Sequence, residues 1–230
     1  MWGQAAGDVS PNTAMTWLWN TYAPQRLLQF DFLPFPLMFV DIETTRNRVV
    51  EIATVRVSRD HLPTIFHTYL NPGVGGWARS NNYWNTDHHG LTAAQVKAFP
   101  TFGSIVGMLE QQRRGAVMVG HNIAFEERFL AEEYARVGGS FGNSDFCTLQ
   151  LARKLFPYRR EEGGSFRLDA LAAMFDIRNP APHRAIGDTV TTIWVLAAML
   201  ESRRTDPELP RLVRSVVRDA TGRPLNPWVS

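Results

Sequence analysis

The sequence predicts an α/β chain built on a mixed central sheet flanked by helices. Three observations lead there. Leu37–Val40 is an apolar run that ends in acids, as a buried strand does at its mouth. Val49–Val57 (VVEIATVRV) is rich in β-branched residues and largely alternates, which suits a second strand pairing with the first. Further on, a short apolar run precedes a segment of helical spacing, as Ala116–Gly120 precedes Ala124–Val137. An antiparallel start followed by strand–helix units makes a mixed sheet.

The remaining elements follow in order. Thr64–Leu70 reads as a third strand, closed by Asn71-Pro72-Gly73. A Gly- and Asn-rich loop runs to Gly90. Thr101 stands at the N-cap of a helix whose Phe102, Ile105, Val106 and Leu109 share one face. In Ala124–Val137 the apolar positions are Phe125, Phe129, Leu130 and Tyr134, and Gly138-Gly139 stops the helix. A strand is expected near Phe146, then helices at Thr148–Phe156 and Leu168–Phe175. Ile186–Glu201 is apolar on more than one face and is expected to be well buried. A short helix is expected over Arg211–Asp219, with Arg211, Arg214 and Arg218 on one face.

With 230 residues and domains of about 150 residues as the prior, the chain is one domain with appendages. Residues 1–36 read as an arm: they hold three of the seven tryptophans (Trp2, Trp17, Trp19) and Pro11, Pro24, Pro34 and Pro36. One short helix near Ala14–Tyr22 would strap this arm onto the main domain or dock a protein partner. Residues 37–204 form the main domain and 205–230 a C-terminal extension. One cysteine, Cys147, excludes a disulfide framework or a Cys-rich zinc module and reads as a buried apolar residue. No segment reaches the roughly 18 consecutive apolar residues of a membrane span, and the start lacks the pattern of a secretory signal. The expectation is a soluble, cytoplasmic protein. The net charge of +2, from 24 Lys and Arg against 22 Asp and Glu, is too balanced to announce a nucleic-acid binder by itself.

Chemistry concentrates in three places. Asp41 and Glu43 lie two apart on a strand, so both carboxylates face one side with Cα atoms about 6–7 Å apart. Such a pair at the end of a buried strand repels unless a cation sits between them, and Mg²⁺ or Mn²⁺ favours carboxylate oxygens. Alone, D-x-E is a weak signal; the apolar run before it gives it context. The second place is HNIAFEERFL, His121–Leu130, where a strand delivers His121 and Asn122 and a helix presents Glu126 one turn in. Position alone gives Glu126 no preference over Glu127, Glu132 or Glu133. The third is HRAIGDTV, with His183 and Asp188. Five helical positions turn about 500°, so the two would not share a face if both were helical. Pro180 and Pro182 place the helix start just after His183, which lets the imidazole lean in from the loop. Asp188 then points in from the first turns of an apolar helix, where an unpaired carboxylate is costly.

Those three motifs, in that order and with those gaps, resemble the DEDDh (DnaQ-like) 3′–5′ exonucleases, the family of the proofreading epsilon subunit of bacterial replicative polymerase. The resemblance runs from about Leu37 to Glu201. It includes Thr44-Thr45 after the first acids, the EIA of the second strand, LNP at Leu70–Pro72, HGLT at His89–Thr92, FPTF at Phe99–Phe102, FCTLQLARKLFP and RLDALAAMF. It implies an RNase H-like fold and hydrolysis at the 3′ end of single-stranded nucleic acid, with DNA ahead of RNA. It further implies two divalent metal ions, Mg²⁺ or Mn²⁺, held by Asp41, Glu43, Glu126 and Asp188, with Asp41 bridging and His183 as general base. Thr44, Thr45, His89 and Asn122 would meet the substrate.

Two departures stand out. The family has aspartate where this chain has Glu126, one methylene longer. The link from Thr45 to Val49 is short, where many relatives have a longer, Gly-containing turn near the terminal nucleotide. Trp77, Tyr83 and Trp84 are candidates either to stack bases or to fill a flap of their own. Arg153, Lys154, Arg159, Arg160 and Arg167 would meet the phosphate backbone or form a solvated loop, since Glu161 and Glu162 interrupt them. The alternatives carried from this reading are an RNA-trimming exoribonuclease of the same fold and a non-catalytic nucleic-acid-binding or adaptor protein.

Overall fold

A computed structural model describes residues 23–73 and 85–224. Trp2, Trp17, Trp19, Trp77, Tyr83, Trp84 and the helix expected at Ala14–Tyr22 lie outside the described residues. The elements, in chain order, are α1 (Ala23–Leu27), β1 (Leu37–Thr44), β2 (Val49–Val57), β3 (Thr64–Tyr69), α2 (Thr86–His89), α3 (Ala93–Val96), α4 (Phe102–Arg113), β4 (Val117–Gly120), α5 (Ala124–Arg136), β5 (Asp145–Cys147), α6 (Thr148–Leu155), α7 (Tyr158–Glu161), α8 (Leu168–Met174), α9 (Ala185–Ser202), α10 (Leu209–Arg214) and β6 (Val217–Arg218).

The six strands form one sheet in the order β3-β2-β1-β4-β5-β6. β1 to β3 are antiparallel neighbours, β4 and β5 run parallel to β1, and β6 closes the sheet antiparallel to β5. The mixed sheet expected from the sequence is present. The expected helix over Arg211–Asp219 is corrected: α10 ends at Arg214, and Val217 and Arg218 pair with Phe146 and Asp145. Two consecutive valines at 216 and 217 favour the extended backbone, and β5 offers an open edge for them. Among the described residues, no helix is long and apolar enough to cross a membrane.

Parity along β1 decides where everything goes. Leu37 and Phe39 face one layer, with α9, α6, α8 and α10; Met38, Val40 and Ile42 face the other, with α4 and α5. Asp41 and Glu43 continue the row of Leu37 and Phe39, so they emerge on the α9 side where the apolar core stops. α9 lies across this row. Most of its apolar residues from Ile186 to Leu200 are buried, Trp194 and Ala198 being half-buried, and the Thr189 hydroxyl, bonded to Ala185 O at 2.7 Å, packs against Ala53 O of β2. Leu27, Phe30 and Leu33 from the N-terminal side and Leu209, Val213, Val216 and Val217 from the C-terminal side belong to the same core. Cys147 is buried in the other layer.

The β1–β2 connection is a tight turn. Thr45 N–H donates to Arg48 O at 2.8 Å, and Arg48 N–H donates to the Thr45 hydroxyl at 3.0 Å. Arg48 then forks onto Glu133 of α5, through Nε to Oε1 at 2.8 Å and Nη2 to Oε2 at 3.1 Å, while Val49 N–H also donates to Oε1. Glu133 is 1% exposed, so these three donors satisfy a buried carboxylate and fix the turn against the helix. Glu133→Ala strands the Arg48 charge and the Val49 N–H. It is expected to lower unfolding stability by about 2–3 kcal/mol, read as a shift in the urea midpoint at unchanged slope.

Candidate metal centre and active site

Strand β1, the turn after β4 and the start of α9 deliver acids to one place. One carboxylate oxygen from each of Asp41, Glu43 and Asp188 lies within 4.8 Å of the others. Glu126 lines the same open cavity, of about 600 Å³, with Thr44, Arg46, Asn85, His88, Phe125 and Arg128 among its neighbours. Glu126 reaches in from the first turn of α5, which starts at the C-terminal end of β4, beside that of β1. Clefts at such strand ends are where α/β sheets bind ligands.

Each acid is held in a different way. Asn179 Nδ2 donates to Asp188 Oδ1, while Asn179 Oδ1 accepts Ala181 N–H at 3.0 Å, so one side chain both shapes the loop and aims the carboxylate. Gly187 makes this loop possible: a Cβ there would lie 2.1 Å from Ala181 O and 2.9 Å from Asn179 Oδ1. Glu51, opposite Glu43 on β2, is fully buried but is satisfied by Arg184 Nε at 3.1 Å and His67 Nε2 at 2.7 Å. Glu126 is 4% exposed and its Oε2 has no hydrogen-bond partner.

The unsatisfied negative charge shows in the proton affinities. Burial and the repulsion of Asp188, Glu126 and Glu43 push the Asp41 carboxyl well above its ordinary range. Burial, with Asp188 and Glu51 beside it, pushes Glu43 up to about 8, although Arg184 opposes the shift. Burial pushes Glu126 up to about 8. Asp188 rises only to about 6, because Asn179 and the His183 backbone N–H stabilise its anion. A hard divalent cation answers this arrangement: oxygen donors converge from three elements, one buried oxygen is unpartnered, and among the described residues no ion pair joins any of the four acids. The donor set therefore fits Mg²⁺ or Mn²⁺.

The other residues expected from the sequence are placed unevenly. Thr44 lines the cavity. Thr45 is fully buried and its hydroxyl holds the β1–β2 turn. His89 is buried, and its Nδ1 accepts Leu91 N–H at 3.0 Å. Asn122 is exposed with φ 79° at the entry to α5. His183 is exposed with φ 59°, two residues before α9, and its ring lies 4.3 Å from that of His88. The cavity thus gathers Asp41, Glu43, Glu126, Asp188 and Thr44, and it is His88, rather than His183, whose side chain lines it. His121 is bound by Thr148 Oγ1 and Phe166 O, tying the β4 end to α6 and to the segment before α8. Of the basic cluster, Arg159 is spent on Ser165 O and Ala170 O, and Arg167 sits 3.4 Å from Asp169. Sequence reasoning missed His88, Arg46 and Arg128; the position of Arg128 two residues after Glu126 in α5 was the one signal available.

Comparison with known proteins agrees with this geometry. The RNase_T exonuclease family model matches residues 38–196. A DNA polymerase III subunit epsilon-like protein of Rhodobacter capsulatus is 34% identical over 170 residues, covering 70% of this chain and 23% of the relative. The DNA polymerase III subunit epsilon of Aquifex aeolicus is 26% identical over 177 residues, covering 76% of this chain and 83% of the relative. The chain spans only 12% of a PolC-type DNA polymerase III of Caldanaerobacter subterraneus, at 25% identity over 76% of this chain. Among solved structures, exonuclease I superposes with a TM-score of 0.62 at 20% identity, covering 76% of this chain and 42% of that one. Exonuclease X bound to 5′-overhanging duplex DNA gives 0.55 at 22% identity, covering 77% and 99%. These neighbours share the RNase H-like exonuclease fold.

The raised carboxyls set a pH dependence. Each titrates higher in the folded chain than its ordinary 3.8 or 4.5, so the folded state binds more protons and stability falls as pH rises. The contribution is fully present below about pH 4 and is lost through about 6 for Asp188 and about 8 for Glu43 and Glu126. In chelator, the melting temperature is expected to fall between pH 5 and 8 and to recover with Mn²⁺, more at pH 8 than at pH 5; Asp188→Asn is expected to weaken both effects.

Proposed function

The chain belongs to the RNase_T exonuclease family, and we propose from that premise that it is a metal-dependent 3′–5′ exonuclease acting on single-stranded nucleic acid, DNA in preference to RNA. The observation that carries this is the convergence of Asp41, Glu43 and Asp188 oxygens within 4.8 Å, beside a buried Glu126 oxygen with no partner. Asp41, Glu43 and Asp188 would hold one ion, and Asp41 with Glu126 the second. Bound there, a divalent pair supplies charge stabilisation to the attacked phosphoryl group and the departing 3′ oxygen.

The protein's own groups do the rest. Asn179 holds Asp188 in the orientation its role needs. An imidazole nitrogen of His183 takes the proton of the attacking water. His183 stands just outside the N-terminus of α9, with its ring against that of His88, which lines the cavity. Thr44, in the cavity wall, would meet the terminal nucleotide together with His89 and Asn122, while Thr45 shapes the turn. We further assign residues 37–204 as the catalytic domain, residues 1–36 as an arm suited to a protein partner, and 205–230 as an extension.

End-labelled single-stranded DNA, duplex DNA and RNA, incubated with Mg²⁺ or Mn²⁺, test the proposal through the size of the products. Stepwise shortening of single-stranded DNA to mononucleotides is expected. Asp41→Ala is expected to abolish it without loss of fold; undiminished digestion by that variant refutes the assignment. His183→Ala is expected to cut the rate by about 10²–10⁴, with little change if the imidazole has no part in proton transfer.

A further inference from the structure

Four carboxylates make the floor of the cavity, yet two arginines in its wall answer none of them. Arg46 stands at the tip of the β1–β2 turn, exposed, and among the described residues it makes no ion pair or hydrogen bond. Arg128 lies two positions beyond Glu126 in α5, also exposed and also without an acid partner among the described residues. Its guanidinium rests on the Phe129 ring at 4.5 Å and near Phe125 at 5.7 Å. Other arginines near this face are spent on acids, Arg48 and Arg136 on Glu133 and Arg184 on Glu51, so that Arg46 and Arg128 are the arginines lining the cavity.

Both guanidinium groups are carried on stiff supports. The turn bearing Arg46 is closed by the Thr45–Arg48 bonds and locked to α5 through the Arg48–Glu133 fork. Arg128 projects from that same helix, so the turn and the helix hold the two arginines as one unit. Stacking on Phe129 occupies a face of the Arg128 guanidinium and leaves its in-plane N–H groups open, the edge that binds an oxyanion in bidentate fashion. A cavity with a negative floor repels a polyanionic strand unless its wall carries positive charge that is not already neutralised.

We propose that Arg46 and Arg128 together form a clamp for a backbone phosphate of the strand, next to the one positioned over the carboxylates. The clamp rests on the nuclease reading above and adds to it a need for a second phosphate. It makes the preferred substrate an oligonucleotide rather than a mononucleotide ester. The short β1–β2 link, where Arg46 occupies the tip, is then a substrate-reading element.

Two measurements decide it. In an Asp188→Asn background, which keeps the strand intact, binding of 5′-fluorescein-labelled dT12 is followed by anisotropy across KCl concentrations. Arg46→Ala and Arg128→Ala are each expected to weaken binding about tenfold at low salt and to flatten the log–log salt dependence by about 0.7, the value for one single-strand phosphate contact. Arg46→Lys is expected to keep the salt dependence, since the charge remains, while losing part of the affinity. In the active protein, kcat/KM for dT12 is expected to fall about tenfold further, for each alanine variant, than kcat/KM for the p-nitrophenyl ester of thymidine 5′-monophosphate, which has one phosphate. An unchanged salt dependence in both alanine variants overturns the clamp, and so does an equal loss on the two substrates. A protein that cleaves neither substrate refutes the nuclease reading instead, and the anisotropy series still decides the clamp.

Discussion

The crowding of four carboxylates, Glu43 and Glu126 buried and Asp41 and Asp188 half-buried, is the constraint on which this molecule is organised. Asp41, Glu43, Glu126 and Asp188 stand where the apolar core ends; burial lifts the proton affinity of each, and repulsion from the neighbouring site acids adds to it at Asp41 and Glu43. A protein that needed only stability would place apolar residues there. Neighbouring Glu51 shows what a structural acid looks like in the same sheet: Arg184 and His67 close on it from both sides. Among the described residues no ion pair closes on the other four in this way, although Arg184 also acts on Glu43. Under the proposed function, that charge is what a divalent cation would neutralise.

The scaffold bears the cost of this strain by over-determining the backbone at the points of delivery. β1 is paired with β2 along Leu37–Thr44 and with β4 along Leu37–Phe39, so Asp41 and Glu43 cannot turn away from α9 without a slip of register against β2. α9 is buried along nearly its full length, which fixes the height of Asp188 above the sheet. The loop before α9 is pinned by Asn179 and fits only because residue 187 has no side chain. Each device sets where an oxygen stands.

Much of this was legible in the sequence for a physical reason. The parity of Leu37, Phe39, Asp41 and Glu43 is a property of the strand alone, and the β-branched run at Val49–Val57 coincides with β2. The breakers before His183 marked the start of α9. Glu126 could not be separated from Glu127 by position, because helical spacing does not say which turn faces a strand end; resemblance to a family had to supply that. Val217 and Arg218 were read as helix because strand pairing with Phe146 is a contact across some seventy positions that no local pattern records. His88, Arg46 and Arg128 were missed because they reach the cavity from a loop, a turn and the flank of a helix, whose directions are set by tertiary packing.

Glu126 and Gly120 are best understood together. A glutamate in place of the family's aspartate needs more room at the end of β4. Gly120, the last residue of that strand, supplies it: a Cβ there would meet Ile123 Cδ1 at 2.6 Å and Glu126 Oε2 at 3.4 Å. The same absence of a side chain brings the α5 entry close to the strand, which carries Glu126 inward and keeps it dry. A larger residue at 120 would have to displace the Ile123 side chain and would crowd the Glu126 carboxylate. Since α5 also carries Glu133, which anchors the turn bearing Arg46, a shift at Gly120 would move the floor and the wall of the cavity together. The spacing between the acids and the arginines is therefore a property of one helix seated against one glycine.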